Sequence, residues 1–171
     1  RFFLKAPVQY SRISSRYSPR RFHPVQRRWK AHKGTDYAAK RGTPIWSTAD
    51  GVVIESSYTR GNGNYVKVKH TNKYTTQYLH MTRRAAKVGQ RVKQGEIIGY
   101  VGSTGLATGP HVCYRFWVHG RQVDPYKQDL PKAEPMPEES KPNYFDSIKD
   151  LKIQLENGFI ENEKEQFVLN E

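Results

Sequence analysis

The chain is short of cysteine, of carboxylates in its first 130 residues, and of long apolar runs, and each shortage excludes something. Cysteine occurs once, at Cys113, so no internal disulfide can form. In an oxidising compartment a lone thiol is a liability unless it is buried or bound to metal. Residues 1–130 hold 24 Lys/Arg against 6 Asp/Glu, whereas residues 131–171 hold 5 against 10. A basic body with an acidic tail suits a polyanionic or carboxylate-bearing partner: nucleic acid, or an anionic polymer of the bacterial envelope. No stretch reaches the about 18 consecutive apolar residues of a membrane span. The chain begins at Arg1 and not Met, and so reads as a mature or trimmed piece of a longer protein with an upstream domain or regulator. No signal peptide is present, and a trimmed chain would have lost one, so export is neither proven nor excluded.

Familiar catalytic signatures are also missing. There is no H-E-x-x-H and no G-x-S-x-G. The glycine-rich GSTGLATGP lacks the Lys-Ser/Thr ending of a phosphate loop, so its glycines serve turns. A papain-like thiol would sit at a helix N-terminus, where the dipole lowers its pKa, but Cys113 reads as a strand residue. Aromatics among arginines (Tyr10, Tyr17, Phe22, Trp29) suit single-stranded nucleic acid. No recognition motif accompanies them, and no nucleic acid partner is expected.

The chain divides into a basic segment at 1–30, a body at 31–130, and an acidic tail at 131–171. The first is irregular or edge-like, because Pro19 and Pro24 exclude a central strand. From about 44 to 126 the text is strand-like. Asp50-Gly51 signals a hairpin. A Gly/Asn loop at 61–64 and the turn Thr71-Asn72-Lys73 flank the alternating Tyr65, Lys67, Lys69 against Val66, Val68, His70. Thr75, Gln77, Leu79 then alternate with Thr76, Tyr78, His80. Frequent glycines in VGQRVKQGEIIGYVGSTG suggest a barrel or sandwich with tight corners. The body is therefore all-β and antiparallel. PKAEPMPEESKPN (131–143) reads as a linker. Phe145, Ile148, Leu151 and Leu155 then have helical spacing, with Asn143 or Asp146 as cap and Gly158 as stop.

Chemistry concentrates in two places. His32 and Asp36 in HKGTD stand four apart, a spacing that is common by chance. His111 and Cys113 in PHVCYRFW stand two apart on an expected strand, so both face one side while Val112 faces the core. Imidazole, carboxylate and thiolate are ligand types that zinc takes. Arg115 shares the face of His111 and Cys113 and reads either as a grip on a substrate carboxylate or as a solvent-facing rim residue. Asn64 and Tyr78 are weaker candidates for lining a groove. His23, His70 and His119 show no partner pattern and read as surface or packed imidazoles.

From about residue 6 to 127 the sequence resembles the lysostaphin-type zinc metallopeptidases, also called LytM-like or duplicated-hybrid-motif peptidases. Three stretches carry the likeness in order: HKGTDYAAKRGTPIWSTADGVV, GNGNYVKVKHTNKYTTQYLHM, and KVGQRVKQGEIIGYVGSTGLATGPHVCYRFWVHGRQVDP. The resemblance implies a compact antiparallel β-fold with a substrate groove. It implies one Zn²⁺ held by His32, Asp36 and position 113, usually His and here Cys. It makes His80 and His111 the catalytic histidines beside the reacting water. The implied substrate is bacterial peptidoglycan, cut at stem peptides or cross-links outside the cytoplasm. The rival reading is a weak or inactive relative that binds cell wall or regulates amidases.

Overall fold

The computed structural model describes residues 3–4, 6–9, 12–23, 27–130 and 138–168, with side chains described as far as residue 154 apart from that of His23. The chain forms two compact units, Arg1–Lys132 and Ala133–Glu171.

The first unit is all-β and antiparallel, as its alternation predicts. Its strands are β1 (Arg12–Ser15), β2 (Ser18–His23), β3 (Arg28–His32), β4 (Thr35–Ala38), β5 (Pro44–Trp46), β6 (Gly51–Thr59), β7 (Gly63–Lys69), β8 (Tyr74–Arg84), β9 (Arg91–Val92), β10 (Ile97–Val101), β11 (His111–Val118) and β12 (Arg121–Val123). Ten form one sheet along the path β1-β4-β11-β8-β7-β6-β9, with β10 on β8 and β5, and β12 on β11. β2 and β3 form a separate two-stranded ribbon.

The turns at 61–64 and 71–73 close real hairpins, β6–β7 and β7–β8. Asp50-Gly51 does not. β5 pairs β10, while β6 pairs β7 and β9, so the two strands flanking that turn diverge. The basic N-terminal segment is more regular than its prolines suggest. β1 forms an edge on β4, and Pro19 is accommodated in the ribbon, where each strand pairs on one side only. Pro24 and Tyr10 lie outside the described residues.

Alternation builds the core. Val112, Tyr114 and Phe116 of β11 point inward to join Ile45, Val66, Val68 and Ile98. Tyr78 and Tyr114 both hydrogen-bond Thr48, which satisfies their buried hydroxyls. On the opposite face Cys113 packs with Leu79 and Tyr65. Of that second, smaller cluster, Cys113 lines the cleft described below.

In the second unit a short 3-10 turn at Glu138–Ser140 leads into α1 (Lys141–Val168). The helix starts before Asn143 and Asp146 and runs through Gly158, contrary to the cap and stop read from sequence. Pro142 fits its first turn, where a missing N–H breaks no helical bond. The expected linker is thus helical from 138 onward, while 131–137 lies outside the described residues. Among the described residues no helix is long and apolar enough to cross a membrane.

Candidate metal centre

β4 and β11 are neighbours, and their register sets Cys113 directly opposite Asp36. His32 ends β3, just before the chain turns into β4. Its Nε2 lies 3.0 Å from Asp36 Oδ1 and 3.7 Å from Cys113 Sγ. One ligand atom from each of the three residues lies within 4.8 Å of the other two, a spread that could close on a single ion. His111 begins β11, with its Nε2 3.9 Å from Asp36 Oδ1.

Gly34 makes this approach possible. A Cβ at that position would lie 2.8 Å from Cys113 Sγ and 3.1 Å from Arg115 Cγ. Any side chain there would push β11 and the His32–Asp36 turn apart.

His80 arrives by a different route. Strict alternation along β8 sends it to the core side with Thr76 and Tyr78. Instead its φ is 64°, a left-handed conformation unusual for a non-glycine residue. β11 pairs β8 up to Leu79, and β10 pairs it from Met81 onward, so His80 sits where the partner changes. Thr76, Tyr78 and Met81 remain buried, and the His80 ring is delivered to the cleft. Its ring centroid is 4.8 Å from that of His111. Backbone strain of this kind persists where the surroundings over-determine it. Here the His80 amide donates to Asn62 O, and the ring is fixed by Thr104.

All three histidines are oriented alike. Nδ1 contacts a backbone carbonyl in each: Arg16 O for His32 at 2.9 Å, Thr104 O for His80 at 2.8 Å, and Gly109 O for His111 at 2.8 Å. A carbonyl only accepts, so Nδ1 carries a proton in each and Nε2 faces the cleft, where that of His32 also meets Asp36 Oδ1. Anchoring of the second ring nitrogen is how ligating histidines are held in tautomer and orientation.

Burial lowers the His80 pKa to about 4, so the ring is neutral at ordinary pH. Burial opposes ionisation of Asp36, but the hydrogen bond and charge of His32 outweigh it and leave the carboxyl below its usual range. Burial first, then the charge of Asp36, push the Cys113 thiol up.

The other sequence candidates separate. Arg115 lines the cleft, as the strand pattern implies. Tyr78 does not line it. It is fully buried, with its hydroxyl on Thr48 and Thr76, because even-numbered residues of β8 before the kink face the core. Asn64 also turns away, its side chain donating to Met81 O. Sequence reading missed Asn62, Arg21 and Lys30, all of which line the cleft. Arg21 and Lys30 come from the ribbon, so the N-terminal segment borders the site. His70 is packed, bonded to Asp50 O and Thr76 Oγ1.

The β-fold thus gathers in one cleft three residues that could hold a metal ion, His32, Asp36 and Cys113, and two further histidines, His80 and His111. The chain belongs to peptidase family M23, whose sequence model matches residues 30–125. It is 48% identical over 154 residues to the peptidoglycan DD-endopeptidase ShyC of Vibrio cholerae, covering 90% of this chain and 36% of that protein. It is 42% identical over 128 residues to the DD-carboxypeptidase/endopeptidase Mpg of Neisseria meningitidis, covering 75% of this chain and 29% of Mpg. The chain therefore spans about a third of the length of these curated relatives. Among solved structures, a zinc-containing peptidase from Vibrio cholerae superposes with a TM-score of 0.71 at 42% identity, covering 77% of this chain and 41% of that one. The catalytic domain of lysostaphin from Staphylococcus simulans gives 0.61 at 28% identity, covering 68% of this chain and 90% of that one.

Proposed function

We propose that this chain is a zinc-dependent endopeptidase that hydrolyses peptide bonds in bacterial peptidoglycan, outside the cytoplasm. The observation that carries the reading is the convergence of His32 Nε2, an Asp36 carboxylate oxygen and Cys113 Sγ on one point of the cleft. Nitrogen, carboxylate oxygen and sulfur are the donors zinc takes, and three protein ligands leave a position open for water or substrate. Zinc held there would supply a Lewis acid and would lower the pKa of its bound water.

The protein's own groups do the rest. His80 is neutral, with Nδ1–H held by Thr104, so Nε2 is free to take a proton from the attacking water. His111 keeps its Nδ1–H on Gly109. Once it holds a second proton it can donate from Nε2 to the oxyanion that forms. The relatives' names support the substrate: ShyC is a peptidoglycan DD-endopeptidase. The inactive alternative is less well supported, because the change at position 113 is to another metal-binding residue and His32, Asp36, His80 and His111 are all retained.

Two measurements on one preparation test this. Elemental analysis should find about one zinc ion per chain, as a single three-ligand site requires. Digestion of defined, cross-linked muropeptides, with products weighed by mass spectrometry, should show hydrolysis of a peptide bond. Zinc-loaded protein that leaves every muropeptide intact would overturn the reading and favour the binding or regulatory alternative.

A further inference from the structure

The start of the chain carries charge of one sign only. Residues 1–35 hold ten Lys/Arg, and no carboxylate precedes Asp36. An ordinary solvated surface intersperses both signs. On the β2–β3 ribbon Arg20 is exposed, as are Arg27 and Arg28 at its end. Among the described residues these three make no ion pair.

The ribbon sorts its side chains by face. Arg21 and Lys30 are cross-strand partners that turn to the cleft, so the next pair, Phe22 and Trp29, turns away from it. Phe22 is 52% exposed and Trp29 is 62% exposed. Their ring centroids lie 6.0 Å apart, and the Arg20 guanidinium sits over Trp29, 4.9 Å from its centroid. Single exposed aromatics are ordinary, whereas adjoining ones rimmed by cations mark an interaction surface. Tryptophan beside arginine suits the boundary of a bilayer. The indole body is apolar and its N–H stays wet, while a guanidinium takes phosphate through paired N–H bonds. Bases of single-stranded nucleic acid need open aromatic faces to stack on. Here Arg20 covers one face of Trp29, and Phe22 is tilted 75° from it, so the two rings offer no parallel platform.

We propose that the outer face of the ribbon, Arg20, Phe22 and Trp29 with Arg27 at its end, docks on the surface of a bilayer containing anionic phospholipid. The two rings enter the interface and the arginines meet lipid phosphates. Such a patch lies on a membrane and does not span it, so the attachment is reversible. The inference is independent of the peptidase reading. Because β3 ends at His32, docking through the ribbon holds the cleft beside the bilayer.

Co-sedimentation of the chain with vesicles supplies the test. Vesicles of phosphatidylcholine mixed with phosphatidylglycerol should carry the chain down, those of phosphatidylcholine alone far less, and added salt should release it. Tryptophan emission should shift to the blue on binding, as Trp29 leaves water. Trp29→Ser should abolish that shift, although Trp46 and Trp117 remain, and weaken partitioning by about tenfold. Each cation near an anionic surface strengthens partitioning about fivefold, so Arg20→Gln combined with Arg27→Asn should weaken it by about twentyfold. Asparagine at 27 tolerates the positive φ found there. Both variants alter exposed side chains, and circular dichroism with thermal unfolding checks that each folds; if Trp29→Ser does not, the arginine pair decides. No association with the anionic vesicles, association without an emission shift, or partitioning that either folded variant leaves unchanged overturns the proposal. Binding to single-stranded DNA but not to vesicles also overturns it, and assigns the face to nucleic acid.

Discussion

Cys113 and Asp36 are direct cross-strand partners, and His32 Nε2 lies within 3.7 Å of the thiol and 3.0 Å of the carboxylate. A thiol that shares its site with a carboxylate, and is buried besides, resists ionisation. Zinc takes thiolate, so metal uptake must expel the proton. Zinc binding is therefore expected to release a proton and to tighten as pH rises. Calorimetric titrations in two buffers of different ionisation enthalpy would detect it; identical heats would count against Cys113 as a ligand.

Cys113→His replaces a thiolate by a neutral imidazole and makes the zinc site one unit more positive. A more positive site ionises its water more readily, so activity should rise at lower pH in the variant, by roughly one unit. The unmodified protein should also be the more easily inactivated by peroxide, since only it carries an oxidisable ligand. Coincident pH profiles for the two proteins would refute the charge argument.

His80→Ala should retain zinc, because His80 is not among the three donors, yet lose activity by about a hundredfold to ten-thousandfold. Removing a strained left-handed histidine also relieves backbone cost only if the new residue can leave that conformation. The informative comparison is thus His80→Asn, which tolerates positive φ and should fold as well while remaining equally inactive. Zinc content and turnover measured together check both.

Gly34→Ala places a methyl group 2.8 Å from Cys113 Sγ. Overpacking of that kind costs about 1–3 kcal/mol. Because the displaced atom is a proposed ligand, zinc affinity should fall along with stability. Denaturant unfolding, with and without added zinc, separates the two effects: the gap between the two curves should narrow in the variant.

His70 supplies a pH test away from the metal centre. Burial lowers its pKa from 6.5, with the Asp50 carbonyl contact opposing. Its folded form is the neutral one, so its contribution is intact above pH 6.5. It is lost as pH falls below that value towards the lower folded pKa. Stability by chemical denaturation should therefore drop between pH 7.5 and 5.5, and His70→Gln should flatten that drop. An unchanged slope would mean that other groups set it.

Much of the architecture is a local matter and was legible as such. Period-two alternation sends Val112, Tyr114 and Phe116 to the core and His111, Cys113 and Arg115 to the cleft, because successive strand residues point to opposite faces. The turns at 61–64 and 71–73 are short-range too. The same rule puts Tyr78 in the core, against its reading as a groove residue, and could not explain His80. Whether a tyrosine face is core or groove depends on what packs over it. The kink that turns His80 outward arises where β8 exchanges one partner strand for another. Asp50-Gly51 turns the chain as its residues dictate, but which strands pair afterwards is settled by distant β9 and β10. The sequence by itself determined the alternation, the glycine corners and the kinds of donor available. Only the tertiary structure decided the register that sets Cys113 against Asp36 and the ribbon that brings Arg21 and Lys30 to the cleft. Those contacts join residues far apart in the chain, and no local preference encodes them.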